Sequence, residues 1–149
     1  AYLDALTVLG PGLLLVHGVD LNREDRARIV ARGSPLCLCP RSNLHIGGRL
    51  PDVPSLLADG VHLCLGTDSL ASSPDLDVLS EVGILARAYP EVSIDRWLRM
   101  ATVSGADALG FLRAGRIAPG ASPGLLMLEV DDPRELAHGP VPRTWLARP

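Results

Sequence analysis

The stretch Val61-His62-Leu63-Cys64-Leu65-Gly66-Thr67-Asp68-Ser69 (61–69) decides the fold that we expect for this chain. Its first half is short, largely apolar and ended by a glycine, which is typical of a strand buried on both faces. A polar turn carrying a carboxylate follows at once. Ser73 and Pro74 then suit the N-cap and the first position of a helix that runs to Tyr89. The stretch therefore predicts a strand, a polar turn and a helix in succession.

The same pattern occurs twice upstream. Residues 13–16 and 36–39 are apolar runs, and the second is ended by a proline. A helix over 23–32 is bracketed by an asparagine N-cap and a C-terminal glycine, and a shorter helix is expected over 51–59. Right-handed crossovers place the carboxyl ends of parallel strands on one face, so functional side chains are expected just after each strand. The sequence thus predicts an α/β fold with three consecutive βα units.

The last third of the chain has a different pattern. A helix capped by Ser93 shows apolar residues at helical spacing. Strands over 125–130 and around 144–146 follow, and the density of prolines near the end predicts an irregular tail. We therefore expect a division into an α/β part, 1–112, and a small β unit with its tail, 113–149.

Composition and length exclude several classes of protein. The 149 residues hold 14 Lys and Arg against 17 Asp and Glu, with a net charge of −3, and only 3% are aromatic. With no basic cluster, that composition argues against a nucleic-acid partner. Since no apolar run approaches about 18 residues, we expect no membrane partner, and the opening residues lack the basic region of a signal peptide. A complete eight-stranded α/β barrel needs about 250 residues, so at most part of one is present.

Three cysteines, Cys37, Cys39 and Cys64, lie inside the apolar runs. An odd number of thiols at buried positions is typical of small apolar side chains in a reducing compartment rather than of a disulfide framework. We therefore predict structural cysteines and a cytoplasmic location.

Asp68 and His17 are the strongest candidates for chemistry, because each follows a predicted strand. A carboxylate there needs a metal, a cation or several donors if it is buried. The alternatives are an Asp that caps the next turn and a core histidine bonded to a carbonyl. Alternation puts His17 on the face of Leu15 and Asp68 on the face of Cys64. Parallel strands in one sheet could bring the two together, with the strand of Cys37 and Cys39 between or beside them.

Polar residues also follow the second strand. Arg41 suits bidentate binding of an anionic substrate group, and Ser42 and Asn43 lie beside it. The alternative is an Asn in a left-handed turn beside Gly47, with a solvated Arg41.

Four segments together resemble a known family. They are "LVHGVDL" (15–21), "CPRSNLHIG" (39–47), "GVHLCLGTDSLASSPDLDVLSE" (60–81) and "ATVSGADALGF…GRIAPG" (101–120). They are similar to the C-terminal half of amidohydrolase-superfamily enzymes, in the branch of metal-dependent deaminases and chlorohydrolases of purine- and triazine-like rings. Within that branch the resemblance is to the aminofutalosine deaminase-like members.

The resemblance implies the last three βα units of a TIM-type (β/α) barrel, with 13–17, 36–39 and 61–66 as strands six, seven and eight. A remnant of a small C-terminal β-sandwich would include 125–130. Asp68 would bind a divalent metal, Zn or Fe, and take a proton from the attacking water.

In the same family site, His17 would orient that water and stabilise the developing oxyanion. Arg41, Ser42, Asn43 and Ser69 would line the pocket of a small heterocyclic substrate.

Several family features are missing from the sequence, among them the HxH motif, the strand-five histidine and the acidic proton shuttle. The predicted function is therefore a metal-dependent hydrolase that deaminates an amino-purine-like ring, here as an incomplete C-terminal portion. One alternative is an inactive fragment or assembly half, whose open strand edges pair with a complementing N-terminal half or with a second copy. Another is an unrelated α/β binding domain.

Overall fold

The computed structural model describes residues 2–122 and 124–148. Within them the chain forms the following elements, in order: α1 (Tyr2–Ala5), β1 (Leu15–Val16), α2 (Arg23–Arg32), β2 (Leu36–Leu38), α3 (Pro40–Gly47), α4 (Val53–Ala58), β3 (Leu63–Leu65), α5 (Val78–Ala88), α6 (Ile94–Met100), α7 (Val103–Ala108), β4 (Leu125–Leu128), a 3₁₀ helix (Pro133–His138) and β5 (Arg143–Ala147).

The first three strands form a parallel sheet in the order β1-β2-β3. Val16 lies opposite Cys37, which in turn lies opposite Cys64. Helical segments connect the strands, as the sequence predicts. In the described part of the chain, β1 and β3 each pair with one neighbour only, so both edges of the sheet are open.

The two faces of the sheet carry different side chains because neighbouring strand residues point in opposite directions. Leu36, Leu38, Leu63 and Leu65 belong to the main hydrophobic core. The cysteines form a second, smaller cluster.

The main core joins the sheet to helices from the earlier and the later parts of the chain. Leu38, Val82, Leu85 and Trp97 are completely buried within it. Each aliphatic side chain buried in this way contributes about 1.5–3 kcal/mol. This core fixes the positions of the strand ends that carry the candidate site.

Local signals set several helix boundaries. The side chain of Asn22 accepts a hydrogen bond from the backbone N–H of Asp25 at 2.9 Å, and α2 ends at Gly33 with φ 71°. At α4, Asp52 accepts from the N–H of Ser55 at 3.2 Å. These caps confirm the helices predicted over 23–32 and 51–59.

Three boundaries differ from those expected. α5 begins at Val78 with Asp77 as its N-cap, because the Asp77 carboxylate accepts the N–H of Leu79 and Ser73-Pro74 lies in a turn. The helix predicted after Ser93 is two helices, α6 and α7, and a turn separates them. α3 was not expected at all, since its first residue, Pro40, reads as the end of a strand.

The C-terminal segment contains the antiparallel pair β4–β5 and the 3₁₀ helix. Leu136 of the 3₁₀ helix is 3% exposed and lies in the main core. A capping box begins this helix, because the side chains of Asp132 and Glu135 each accept a hydrogen bond from a backbone N–H at the helix start. This part of the tail is therefore regular rather than irregular. The division into 1–112 and 113–149 stays a prediction. None of the helices in the described residues is both long and apolar enough to span a bilayer.

Candidate active site

The candidate site lies where the three strands of the parallel sheet end. His17 follows β1 directly, α3 follows β2, and Asp68 lies in the turn after β3. The structure brings the two predicted catalytic side chains together, with 4.0 Å between His17 Nε2 and Asp68 Oδ2. Their side chains are 39% and 33% exposed, so both remain open to a ligand.

Unusual backbone conformations hold this pair. Among the described residues, three that are not glycine have positive φ: Thr7, His17 (74°) and Asp68 (59°). Such a conformation costs about 1–3 kcal/mol and is often found at functional sites. Gly18 next to His17 also has positive φ, and a Cβ there would lie 2.7 Å from a methyl carbon of Leu36. The chain therefore turns sharply at the end of β1.

The imidazole of His17 is oriented by Asn43 of α3. The ring Nδ1 lies 2.7 Å from the amide oxygen Oδ1 of Asn43. Because an amide oxygen only accepts, Nδ1 donates to Asn43, and Nε2 is the ring nitrogen that faces Asp68. Asn43 is 6% exposed, and its Nδ2 has no hydrogen-bond partner among the described residues.

The carboxylate of Asp68 is held by two hydroxyls. Its Oδ2 accepts from Ser42 Oγ at 2.7 Å and from Ser72 Oγ at 2.9 Å. The hydrogen bond from Ser42, followed by that from Ser72, lowers the pKa of Asp68 below its ordinary value, and the nearby His17 acts in the same direction. Asp68 is therefore ionised at neutral pH and ready to bind a cation or accept a proton.

Ser69 is exposed and organises the turn after Asp68. Its carbonyl accepts from the N–H groups of Ser72 and Ser73, and its hydroxyl oxygen accepts from the N–H of Ala71 at 3.3 Å. The turn places Ser72 beneath the carboxylate. Substrate binding by Ser69 stays a prediction.

Arg41 contacts neither His17 nor Asp68 among the hydrogen bonds of its side chain. Its Nε donates to Glu81 at 2.7 Å, and its Nη2 donates to the carboxylate of Asp75 at 2.8 Å. The contact with Asp75 and then with Glu81 raises the pKa of Arg41 against the effect of burial. The side chain is 11% exposed. The alternative of a solvated Arg41 beside a left-handed Asn is thus wrong, because both residues lie in α3. Substrate binding by Arg41 stays a prediction, and these contacts do not favour it.

The residues present suit part of a metal site. Zinc and iron accept imidazole nitrogen and carboxylate oxygen as ligands. Two tetrahedral ligands at about 2.0–2.1 Å lie about 3.3 Å apart, less than the 4.0 Å between His17 Nε2 and Asp68 Oδ2. The spacing fits Asp68 as a ligand with His17 beside it. Across residues 2–122 and 124–148, no group of three His, Cys, Asp or Glu could hold an ion.

Two residues of this arrangement, Ser72 and Glu81, were not singled out from the sequence. Ser72 lies four positions after Asp68 in a turn, a spacing that could have indicated a return contact. Glu81 is a charged residue among apolar neighbours on α5, and such a buried carboxylate requires a partner. That requirement was the available signal.

The three cysteines lie beneath the site and are free thiols. Cys37, Cys39 and Cys64 are between 2% and 9% exposed, which confirms their prediction as buried apolar residues. Contact with Cys37, together with burial, raises the pKa of the Cys39 thiol. Gly66 leaves room for them, since a Cβ there would lie 2.8 Å from Cys37 Sγ.

Comparison with known proteins supports the resemblance. The chain is 34% identical over 139 residues to a 5-methylthioadenosine/S-adenosylhomocysteine deaminase of Haloquadratum walsbyi, covering 89% of this chain and 31% of the relative. It is 39% identical over 118 residues to the aminodeoxyfutalosine deaminase of Deinococcus radiodurans, covering 76% and 28%. The chain therefore spans about a third of the length of these curated relatives.

Solved structures share the fold. A zinc-bound adenosine deaminase from Xanthomonas campestris matches with a TM-score of 0.81 and 30% identity, over 92% of this chain and 35% of that one. A zinc-bound atrazine chlorohydrolase from Arthrobacter aurescens matches with a TM-score of 0.78 at 23% identity, over 91% and 34%, and supports the α/β fold alone. The model of the amidohydrolase family matches residues 1–144. The chain belongs to the amidohydrolase family.

Proposed function

We propose that this chain supplies the last three βα units of a TIM-type barrel to a metal-dependent hydrolase that deaminates an amino-purine-like ring. The observation that carries the proposal is the convergence of His17 and Asp68 to 4.0 Å at the ends of β1 and β3, the two strands that flank β2 in the parallel sheet. Relatives named as deaminases of adenosine-type compounds support the substrate class. The C-terminal pair β4–β5 would be the remnant of the family's β-sandwich.

Asp68 would hold the divalent ion, Zn or Fe. Its Oδ2 accepts two hydroxyl hydrogen bonds, and these would hold the carboxylate in place for the metal. The ion, when bound, supplies a nucleophile at neutral pH by lowering the pKa of water to about 7.

Proton transfer falls to the side chains of the chain itself. Asp68, ionised because of its hydroxyl partners, accepts the proton of the attacking water and passes it toward the leaving ammonia. Nε2 of His17 hydrogen-bonds the same water, which orients it. That hydrogen bond is kept as negative charge develops on the oxygen during attack at the ring carbon, and it stabilises this charge.

The remaining residues prepare the pair. Ser42 and Asn43 are buried at 0% and 6% exposure, so they act on Asp68 and His17 from behind. The exposed Ser69 is the better placed of the predicted residues to contact a small heterocyclic substrate.

A second proposal follows from the open edges of β1 and β3 in the described residues. Unpaired strand edges invite further strands. The chain would then act as an assembly half without activity of its own, active only when a complementing N-terminal half, or a second copy, closes the sheet. The cytoplasmic location stays a prediction.

One experiment tests both proposals. The chain is purified alone and after co-expression with the preceding part of the Deinococcus radiodurans relative, and bound zinc and release of ammonia from aminodeoxyfutalosine are measured. We expect zinc and turnover only in the complemented sample. Asp68→Asn in that sample should reduce turnover by about 10²–10⁴-fold, while Asp95→Asn, at an exposed position in the first turn of α6, serves as the matched control. Unchanged turnover in Asp68→Asn would refute the deaminase proposal.

A further inference from the structure

The helix α3 begins without a side-chain cap of its own. Cys39, at the N-cap, makes no capping hydrogen bond, and Pro40 at the first position has no N–H. The first N–H of α3 that needs an acceptor is therefore that of Arg41. The acceptor comes from another helix, since Glu81 Oε2 of α5 lies 2.9 Å from Arg41 N.

Glu81 also binds the same residue through its other oxygen. Oε1 accepts from Arg41 Nε at 2.7 Å, and the Glu81 side chain is 0% exposed. A carboxylate at a helix N-terminus is stabilised by the helix dipole, and a buried one requires such pairing. Arg41 Nη2 also donates hydrogen bonds to the carboxylate of Asp75 and to the backbone carbonyls of Asp75 and Asp77. Arg41 is thus fixed on both sides.

The two residues that follow Arg41 contact the candidate catalytic pair. Ser42 donates to Asp68, and Asn43 accepts from His17. Both belong to the first turn of α3, so a shift of that turn would change both contacts together.

We propose that Glu81 is a positioning residue of the site, an inference that rests on the proposed function. It fixes the first turn of α3 through Arg41. The side chains carried by that turn then hold Asp68 and His17 in the arrangement that the reaction needs.

The proposal predicts a signature at the His17 ring that a purely structural role would not produce. Glu81→Gln keeps the size of the side chain but turns an NH₂ group toward one of the two N–H donors of Arg41. We expect the ring ¹⁵N shifts of His17, measured without metal or substrate at a pH well above the ordinary imidazole pKa of about 6.5, to move from the Nδ1–H form toward an unconstrained mixture. The change should reach at least half of that in Asn43→Ala, where the acceptor is deleted.

The matched control is Asp75→Asn, which alters the exposed partner of Arg41 and leaves the Glu81 contacts in place; its ring shifts should equal those of the unmodified chain. If Glu81→Gln fails to fold by circular dichroism, Glu81→Asp takes its place, with the carboxylate one methylene short and a smaller change in the same direction. A folded Glu81 variant with unmodified His17 shifts overturns the inference, as does an equal change in Asp75→Asn. Failure of the deaminase proposal appears separately, as absent turnover in the complemented sample while the shift persists.

Discussion

The contact between α5 and the 3₁₀ helix allows a test of the fold that involves a single methyl group. A Cβ added at Gly83 would lie 2.5 Å from the carbonyl oxygen of Leu136, whereas ordinary contacts begin at 3.4 Å. A backbone carbonyl cannot rotate away as a flexible side chain can, so the two helices must separate by about 0.9 Å. Overpacking of this kind costs about 1–3 kcal/mol. The higher helix propensity of alanine offsets about 1 kcal/mol of that cost.

Gly105 in α7 provides the matched control. A Cβ there meets its nearest atom, the carbonyl oxygen of Met100, at an ordinary 3.7 Å. Gly105→Ala should therefore stabilise the chain by about 0.4–1 kcal/mol, whereas Gly83→Ala should destabilise it by up to about 2 kcal/mol. Since 1 kcal/mol shifts the Tm by about 2–4 °C at this size, the two variants should differ by roughly 1–12 °C.

Urea unfolding followed by tryptophan fluorescence measures this difference. Trp97 is completely buried and Trp145 is 52% exposed, so a Trp145→Phe background makes Trp97 the reporter. If Gly83→Ala proves as stable as Gly105→Ala, the 3₁₀ helix does not lie against α5 and the packing described for the C-terminal segment is wrong.

Three further outcomes are expected. Ser42→Ala should raise the pKa of Asp68 toward its ordinary value in a ¹³C carboxyl titration, because the principal hydroxyl donor to Asp68 is lost. The lowered pKa stabilises the fold at pH values above the ordinary carboxyl pKa, and this contribution is lost as the pH falls through the lowered pKa. Ser42→Ala should make this contribution smaller. Burial should make the thiols of the native chain react with a disulfide reagent at least about tenfold more slowly than after unfolding in urea, and immediate labelling would contradict that burial. Tyr89→Phe should cost about 1 kcal/mol in urea unfolding, since the Tyr89 hydroxyl donates to the Pro51 carbonyl at 2.6 Å; no loss would show the bond to be dispensable.

The regular elements could be predicted because their signals are local. The asparagine before α2 and the glycine after it act within one helical turn, and the apolar runs at β2 and β3 identify strands by length and composition. Helix α3 was missed for a related reason. Pro40 ends a strand and starts a helix equally well, and the local sequence does not distinguish the two.

The arrangement of the site depends on backbone conformation and on the packing of distant helices, which the local sequence pattern does not predict. Alternation placed His17 with Leu15 and Asp68 with Cys64 on their own strands, but it did not give the register between the strands. In the structure both residues have positive φ and lie 4.0 Å apart. Arg41 looked like a substrate ligand because a guanidinium after a strand is available for anions. Its pairing with Glu81, 40 positions away, depends on how α3 and α5 pack.

The left-handed backbone at His17 and Asp68 has a consequence for evolution and engineering. Glycine would relieve the torsional penalty of about 1–3 kcal/mol at both positions. It would also leave the buried Ser42 hydroxyl and Asn43 amide oxygen without the partners that Asp68 and His17 provide, so the relief of strain is opposed by the loss of these hydrogen bonds. The imidazole and the carboxylate therefore occupy these positions against a conformational preference, and under the proposed function glycine at either one would exchange the reaction for a relaxed backbone.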